Sequence, residues 1–350
     1  MSEVNMQAVA ELAGVSRITV SRALKTPHLV RPDTRERILA IAERLGYVYH
    51  AAAADLIRGK TSIIGLILPT MRTPVFAETI LSVQDAAQAL DMNVILGNSG
   101  YDPALEEQLL RQFQGRRLAG LILVGFTPGR EEQILALQAG GIPSVVIWNT
   151  PTPGSPLNIV GFDNRLAARS AMEYLIGLGH RRIGLIVGPR GGGSRVSERV
   201  EAYREALAGH GIPFDESLVR SAEPTIANGE AEARHLLAVP RSRPTAIFAA
   251  SDNLAIGAMS AARALGIAVP GELSVCGFDN IHFAAHSNPP LTTVNVPARR
   301  MARIAAKHLR KLIRGATPAA PLSVCLKTRL IVRESCAPPC AGKGYAVEAD

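Results

Sequence analysis

From residue 62 onward the chain repeatedly spells short, near-continuous apolar runs: SIIGLILPT, MNVILGNS, LAGLILVGF, PSVVIWNT, RRIGLIVGP, TAIFAASD and GELSVCGFD. A strand with one wet face alternates polar and apolar residues. A run that is apolar almost throughout fits a strand covered on both faces, as in a parallel sheet between layers of helices. Stretches of helical periodicity separate the runs, so strand and helix alternate and the region reads as α/β. There are too many runs for one small sheet, and the pattern restarts after residue 163, which implies two similar lobes. With 350 residues, 47% of them apolar, the chain can bury cores of that size.

Two strand-like stretches, LNIV and LSVC, lead into the same tetrapeptide, GFDN, at residues 161–164 and 277–280. Each Asp therefore stands at the carboxyl end of a strand, where open α/β sheets bind ligands. Asp163 reads more simply as a helix cap, whereas Asp279 reads as a ligand-facing residue. Neither has a second carboxylate or His at metal-ligand spacing, so no paired metal site is expected.

The first 60 residues have a different texture. MQAVAELAG carries apolar residues at helical spacing and stops at Gly14; Ser16 can cap a second helix, RITVSRALK. A third helix is announced by residues 32–36, PDTRE, read as a capping box, with Ile38, Ile41, Ala42 and Leu45 on one face and Gly46 as its stop. Helix, Gly turn, helix is the helix-turn-helix arrangement. These 60 residues hold nine Lys/Arg against six Asp/Glu, so the net charge of +8 is densest here, and a nucleic-acid partner fits.

Other classes are excluded on composition. No run approaches the roughly 18 uncharged apolar residues of a membrane helix, and the opening MSEVNMQAVAELAG lacks the pattern of a secretory signal, so a cytoplasmic address is expected. Four cysteines are not a disulfide framework; Cys276 lies in a buried-looking strand, and Cys336 and Cys340 are read as part of a frayed terminus without a metal. Gly59-Lys60-Thr61 resembles the end of a phosphate loop, but position 54 is Ala and the segment is no strand-to-helix turn. GPRGGGSR lacks the Lys and is read as a flexible loop over a cleft. With no dinucleotide fingerprint and no arranged nucleophile and base, a sugar kinase or dehydrogenase is disfavoured, and no cofactor is expected.

The phrases VAELAGVSRITVSRAL, RPDTRERILAIAERLGY and DLIRGKTSIIGLILP, followed by LGHRRIGLIVGP, SERVEAYREAL, AASDNLAIGAM, ELSVCGFDN and NPPLTTVNVP, closely resemble the lactose/galactose repressor (LacI/GalR) family of bacterial transcription regulators. PVFAETI, GYDPALEEQ and GFDN most resemble its gluconate-type members. The resemblance implies a helix-turn-helix headpiece (residues 1–49), a hinge helix and linker (50–61) and a core (62–336) of two lobes like periplasmic sugar-binding proteins. The first lobe would take residues 62–162 and 292–321, the second 163–291 and 322–336, with 337–350 a disordered tail. It also implies a homodimer on pseudo-palindromic double-stranded operator DNA, repression of a sugar or sugar-acid operon, and a small-molecule effector, a sugar acid or sugar phosphate. A sugar-binding transport protein is the binding-module alternative, which the headpiece argues against.

By the same match, residues 16–25 form the recognition helix. Arg17, Ile18 and Arg22 would face bases, and Ser16, Thr19, Ser21 and Lys25 would lie nearer phosphates. Arg can donate two hydrogen bonds to guanine, while Ile18 can only pack on apolar edges or, alternatively, join the core. The hinge departs from the family pattern, reading YVYHAAAADLIRG without the usual Arg, but Leu56 keeps the place of the minor-groove wedge. So short a helix is marginal alone and is expected to fold on DNA. In the core, Phe76, Arg199, Ser251 and Asp279 fall on effector-cleft positions: Arg199 to hold a carboxylate or phosphate, Asp279 to accept from hydroxyls. Phe76 as plain core and Arg199 as a surface helix residue remain the alternatives. Trp148 is read as packing.

Overall fold

The computed structural model describes residues 5–48, 61–89, 91–127, 129–189, 193–239 and 242–340, in two compact units, Met1–Thr61 and Ser62–Asp350. The hinge helix, Leu56 and residues 341–350 of the tail lie outside the described residues.

In the first unit, helix α1 (Met6–Ala13) ends where Gly14 turns left-handed at φ 61° and returns its N–H to the carbonyls of Ala10 and Glu11. Helix α2 (Arg17–Lys25) starts at Ser16, whose Oγ accepts from Thr19 N at 3.2 Å. Helix α3 (Pro32–Arg44) has no capping box: Arg31 is the N-cap, no side chain bonds the first turn, and Pro32 occupies a first-turn position instead. Proline's fixed φ and missing N–H suit that position without a cap. Val9, Ala10, Ala13, Val20, Ala23, Ile38 and Ala42 form the buried centre.

The second unit begins with strands β1 (Ile63–Leu68), β2 (Asn93–Asn98), β3 (Gly120–Val124), β4 (Ser144–Ile147) and β5 (Ile159–Gly161), alternating with helices α4 (Pro74–Gln88), α5 (Pro103–Gly115) and α6 (Glu131–Ala139). The chain then passes into the second lobe through α7 (Asn164–Gly177), β6 (Ile183–Val187), α8 (Ser194–Gly209), β7 (Val219–Ser221), α9 (Ile226–Leu237), β8 (Ala246–Ala249), α10 (Asp252–Ala264), β9 (Ser274–Asp279) and β10 (Thr292–Asn295). It returns as α11 (Ala298–Ile313), β11 (Ser323–Cys325) and β12 (Arg329–Ile331). The sheets run β11-β5-β4-β3-β1-β2 and β12-β10-β9-β8-β6-β7, parallel throughout except that β12 is antiparallel to β10. Both β3 and β4 are buried at every position, as strands covered on both faces must be.

The lobe crossings fall a few residues from those expected. Strand β10, assigned above to the first lobe, pairs with β9, while β11, assigned to the second, pairs with β5. Residues 337–340, expected to be frayed, are tied down to their end, where Cys340 Sγ donates to Gly271 O at 2.8 Å; Ala337 is held as well. Its N–H donates to Ser274 Oγ at 3.0 Å, its carbonyl lies 3.0 Å from His180 Nε2, and Cys336 Sγ donates to Val275 O at 3.2 Å. Polar-to-backbone bonds of this kind leave no hydrophobic pattern to read. Among the described residues no helix is long and apolar enough to cross a membrane, and no cluster of His, Cys, Asp or Glu could hold a metal ion.

Candidate functional site

The facing strand ends of the two lobes enclose a cleft in the second unit. Its lining includes Phe76 from α4, Tyr101 before α5, Trp148 after β4, Arg195 and Arg199 from α8, Ser251 before α10 and Asp279 at the end of β9. All four effector positions expected from the sequence are brought together here. The spacing of four puts Arg195 and Arg199 on one stripe of α8, one turn apart.

Both arginines are held without a carboxylate. Arg199 donates from Nε and Nη2 to Asn164 Oδ1 at 3.3 and 3.0 Å and from Nη1 to Ala250 O at 2.9 Å, and its guanidinium sits 3.9 Å above the Phe278 ring. Arg195 is 8% exposed and, among the described residues, donates to Val124 O alone, at 3.4 Å. Among the described residues neither forms a salt bridge. Burial pushes Arg199 down to about 10, against the pull of Asp279, so it stays charged at neutral pH.

The carboxyl facing these arginines is that of Asp279. Burial, and then the neighbouring Asp252, hold its carboxyl well above the usual range, more strongly than Arg199 lowers it. Asp252 is buried as well, raised to about 7, and accepts from Ile281 N at 2.8 Å and Thr293 Oγ1 at 2.5 Å. The sequence reading found no second carboxylate beside Asp279 because 26 residues and a whole helix separate the two aspartates in the chain. Two adjacent buried carboxyls cannot both ionise cheaply, so the pair favours holding a proton, which lets one of them offer a donor as well as acceptors.

Other donors converge on the cleft. Thr73 Oγ1 and Trp148 Nε1 are buried and have no hydrogen-bond partner among the described residues, and Ser251 Oγ lies beside the Asp279 carboxyl. An indole N–H can only donate. Thus Trp148, read above as packing, packs against Phe76 with ring centroids 5.1 Å apart, lines the cleft, and keeps an N–H that no described residue accepts. Backbone strain collects at the same place: Tyr101, Trp148 and Asp279 have φ of 61°, 77° and 118°, which non-glycine residues seldom adopt. Such strain persists where the surroundings enforce it, commonly at ligand sites.

Tyr101, Arg195 and Thr73 escaped the sequence reading. Arg195 was hidden by the run GPRGGGSR, read as a loop, although Ser194 already begins α8. The only signal for Tyr101 was its place in GYDPALEEQ, used there for family likeness alone. Asp163 does what its simpler reading said: its Oδ1 accepts from Leu166 N at 2.7 Å and caps α7. The free space in the cleft is about 50 Å³, so a sugar-sized ligand requires the lobes or side chains to part.

In the first unit, Arg17, Ile18, Arg22 and Lys25 of α2 are exposed, and Thr19 and Ser21 are half-buried. Ile18 is 64% exposed, which rules out its alternative reading as core. An isoleucine presented between arginines on one helix suits apolar contact beside polar base contacts. Ser16 and Thr19 bond each other through their hydroxyls at 2.9 Å, so both are partly engaged in the cap.

Comparison with known proteins agrees with both units. Residues 5–49 match the model for bacterial regulatory proteins of the lacI family, and residues 172–336 match that for a periplasmic binding protein-like domain. The transcriptional regulator DegA of Bacillus subtilis is 33% identical over 337 residues, spanning 94% of this chain and 97% of its own. The structure of a transcriptional regulator CelR–cellobiose complex is 33% identical, covers 95% of this chain and all of its own, and superposes with a TM-score of 0.67. A lac repressor dimer bound to operator and an anti-inducer, at 24% identity and a TM-score of 0.77 over 96% of this chain and all of its own, shares the fold.

Proposed function

The chain belongs to the lacI family of bacterial regulatory proteins, DNA-binding transcriptional regulators and not enzymes, and from that premise we infer that it is a repressor whose effector is an acidic sugar derivative, a sugar acid or sugar phosphate. One observation carries the effector: the cleft presents two arginines without carboxylate partners among the described residues, an Asp279 carboxyl that burial and Asp252 push toward its protonated form, and the donors of Thr73 and Trp148 that no described residue engages. A buried donor left unmade costs more than a made bond returns, so the complementary ligand is rich in acceptors and carries negative charge. The gluconate-like motifs PVFAETI and GYDPALEEQ point the same way.

On DNA, Arg17, Ile18 and Arg22 are proposed to meet bases, Ser16, Thr19, Ser21 and Lys25 to meet phosphates, and Leu56 to wedge the minor groove of a pseudo-palindromic operator bound by a homodimer. A second reading, a neutral saccharide, is favoured by the cellobiose in the CelR complex. Calorimetry of the whole protein with gluconate, 6-phosphogluconate, glucose and cellobiose separates the two. The first reading expects heat from the acids alone and loss of that heat in Arg199→Ala, with operator binding retained. Tight binding of glucose or cellobiose with none of either acid overturns it.

A further inference from the structure

Asn164, the last residue of the first GFDN, is fully buried at the first position of α7. Its Nδ2 donates to Trp148 O at 3.0 Å and, at 3.5 Å, to Phe162 O, while its Oδ1 accepts from Arg199 Nη2 and Nε at 3.0 and 3.3 Å. Carbonyls only accept and a guanidinium only donates, so the amide can stand in this one orientation. Its backbone N–H is engaged as well, donating to Thr150 Oγ1 at 3.2 Å. A single neutral side chain thus joins the end of β4, where Trp148 lines the cleft, to the arginine that α8 presents there.

That the anchor is an amide has an electrostatic consequence. A carboxylate bonded to two guanidinium N–H groups would spend the positive charge within the protein. Asn164 Oδ1 takes the same two bonds with a neutral atom, and Ala250 O takes a third, from Nη1, also without charge. Among the described residues these are the acceptors of Arg199, which leaves one N–H on each terminal nitrogen, and the charge, for a ligand. The second GFDN ends in the same way: Asn280 Oδ1 accepts from Arg333 Nη2 at 2.8 Å, but that arginine is not among the residues lining the cleft. Both copies end in an amide that holds an arginine, and the first places it against the effector.

We propose that Asn164 is the positioning residue that makes the cleft select anionic effectors, because it fixes Arg199 beside Trp148 without neutralising it. This role rests on the acidic-effector reading above and adds to it the residue that keeps the charge available. An aspartate at 164 has nearly the same size, but it would pair with Arg199 and turn its second oxygen towards the Trp148 and Phe162 carbonyls, so the charge would be spent before an effector arrived.

The test is calorimetric titration of the full chain, as wild type, Asn164→Asp and Asn164→Ala, with gluconate and with 6-phosphogluconate. Asn164→Asp is expected to weaken both acids by about tenfold or more, the scale of a lost charge-assisted bond, and to weaken the more highly charged 6-phosphogluconate by the larger factor. Asn164→Ala, which frees Arg199 from its anchor and leaves its charge, is expected to weaken both by one common factor. Misfolding cannot imitate the unequal factors, since a smaller folded fraction lowers the number of sites and not the ratio of the two affinities. Unchanged acid affinity in either variant, or a common factor in Asn164→Asp, overturns the role of Asn164 and leaves the acidic effector standing. Wild type that binds glucose or cellobiose and neither acid overturns the acidic-effector reading and this role with it.

Discussion

Gly161 and Gly277 open the two copies of GFDN for the same physical reason, although they lie in different lobes. A Cβ on Gly161 would stand 1.7 Å from the Asn149 carbonyl oxygen, and one on Gly277 would stand 2.3 Å from Asp252 Oδ1. The phenylalanines that follow are fully buried and meet with ring centroids 6.2 Å apart, so the repeat joins the lobes' cores. Gly277→Ala is expected to cost about 3 kcal/mol, the upper end for overpacking, because Asp252 is pinned by Thr293 and Ile281. Urea unfolding midpoints measure this. The acid pair makes a separate prediction. The native pair retains a proton that the unfolded chain has shed, so its contribution to stability declines as pH rises from 3.8 towards about 7. In Asp279→Asn the midpoint should fall less steeply over that window. Affinity for a sugar acid should likewise drop as pH rises through the raised Asp279 value, and this dependence should vanish in the Asn variant. A pH-independent wild-type affinity would contradict the retention of a proton by the pair.

At the scale of elements, caps and stripes carry the explanation. Asp163→Ala removes the N-cap of α7 and is expected to destabilise by about 1 kcal/mol, while Asp163→Asn, which still offers an acceptor, should cost little. Thermal unfolding of the two variants checks the difference. For α2, the exposed Arg22 is expected to contribute about 1–3 kcal/mol to operator discrimination if it makes a bidentate base contact. Competition between operator and random duplex reads this directly: Arg22→Ala should lose operator affinity far more than non-specific affinity, and an equal loss on both would make it a phosphate contact. Helix α8 divides its surface between a cationic stripe and an acidic one, a division that the helical period makes visible in SRVSER once its start is known.

Across the whole molecule, local pattern determined most of the architecture. Runs apolar at nearly every position dictated strands buried on both faces, their alternation with helices dictated parallel sheets, and Gly14, Ser16 and Gly46 marked the headpiece turns. These features were legible because covered strands, caps and left-handed turns are each set by a few adjacent residues. The short edge strands β7, β11 and β12 were not legible, since three-residue segments carry no periodicity and gain their pairing only from a neighbour already in place. Of the cleft, sequence alone reached Phe76, Arg199, Ser251 and Asp279 through family position, but not what those groups would do there. The raised Asp279 carboxyl depends on its burial and on Asp252, the lack of salt bridges to Arg195 and Arg199 among the described residues depends on which carboxylates stay out of reach, and the unengaged donors of Thr73 and Trp148 depend on what surrounds them. Charge state and hydrogen-bond satisfaction arise from groups distant in the chain and adjacent in space, so only the tertiary structure could decide them.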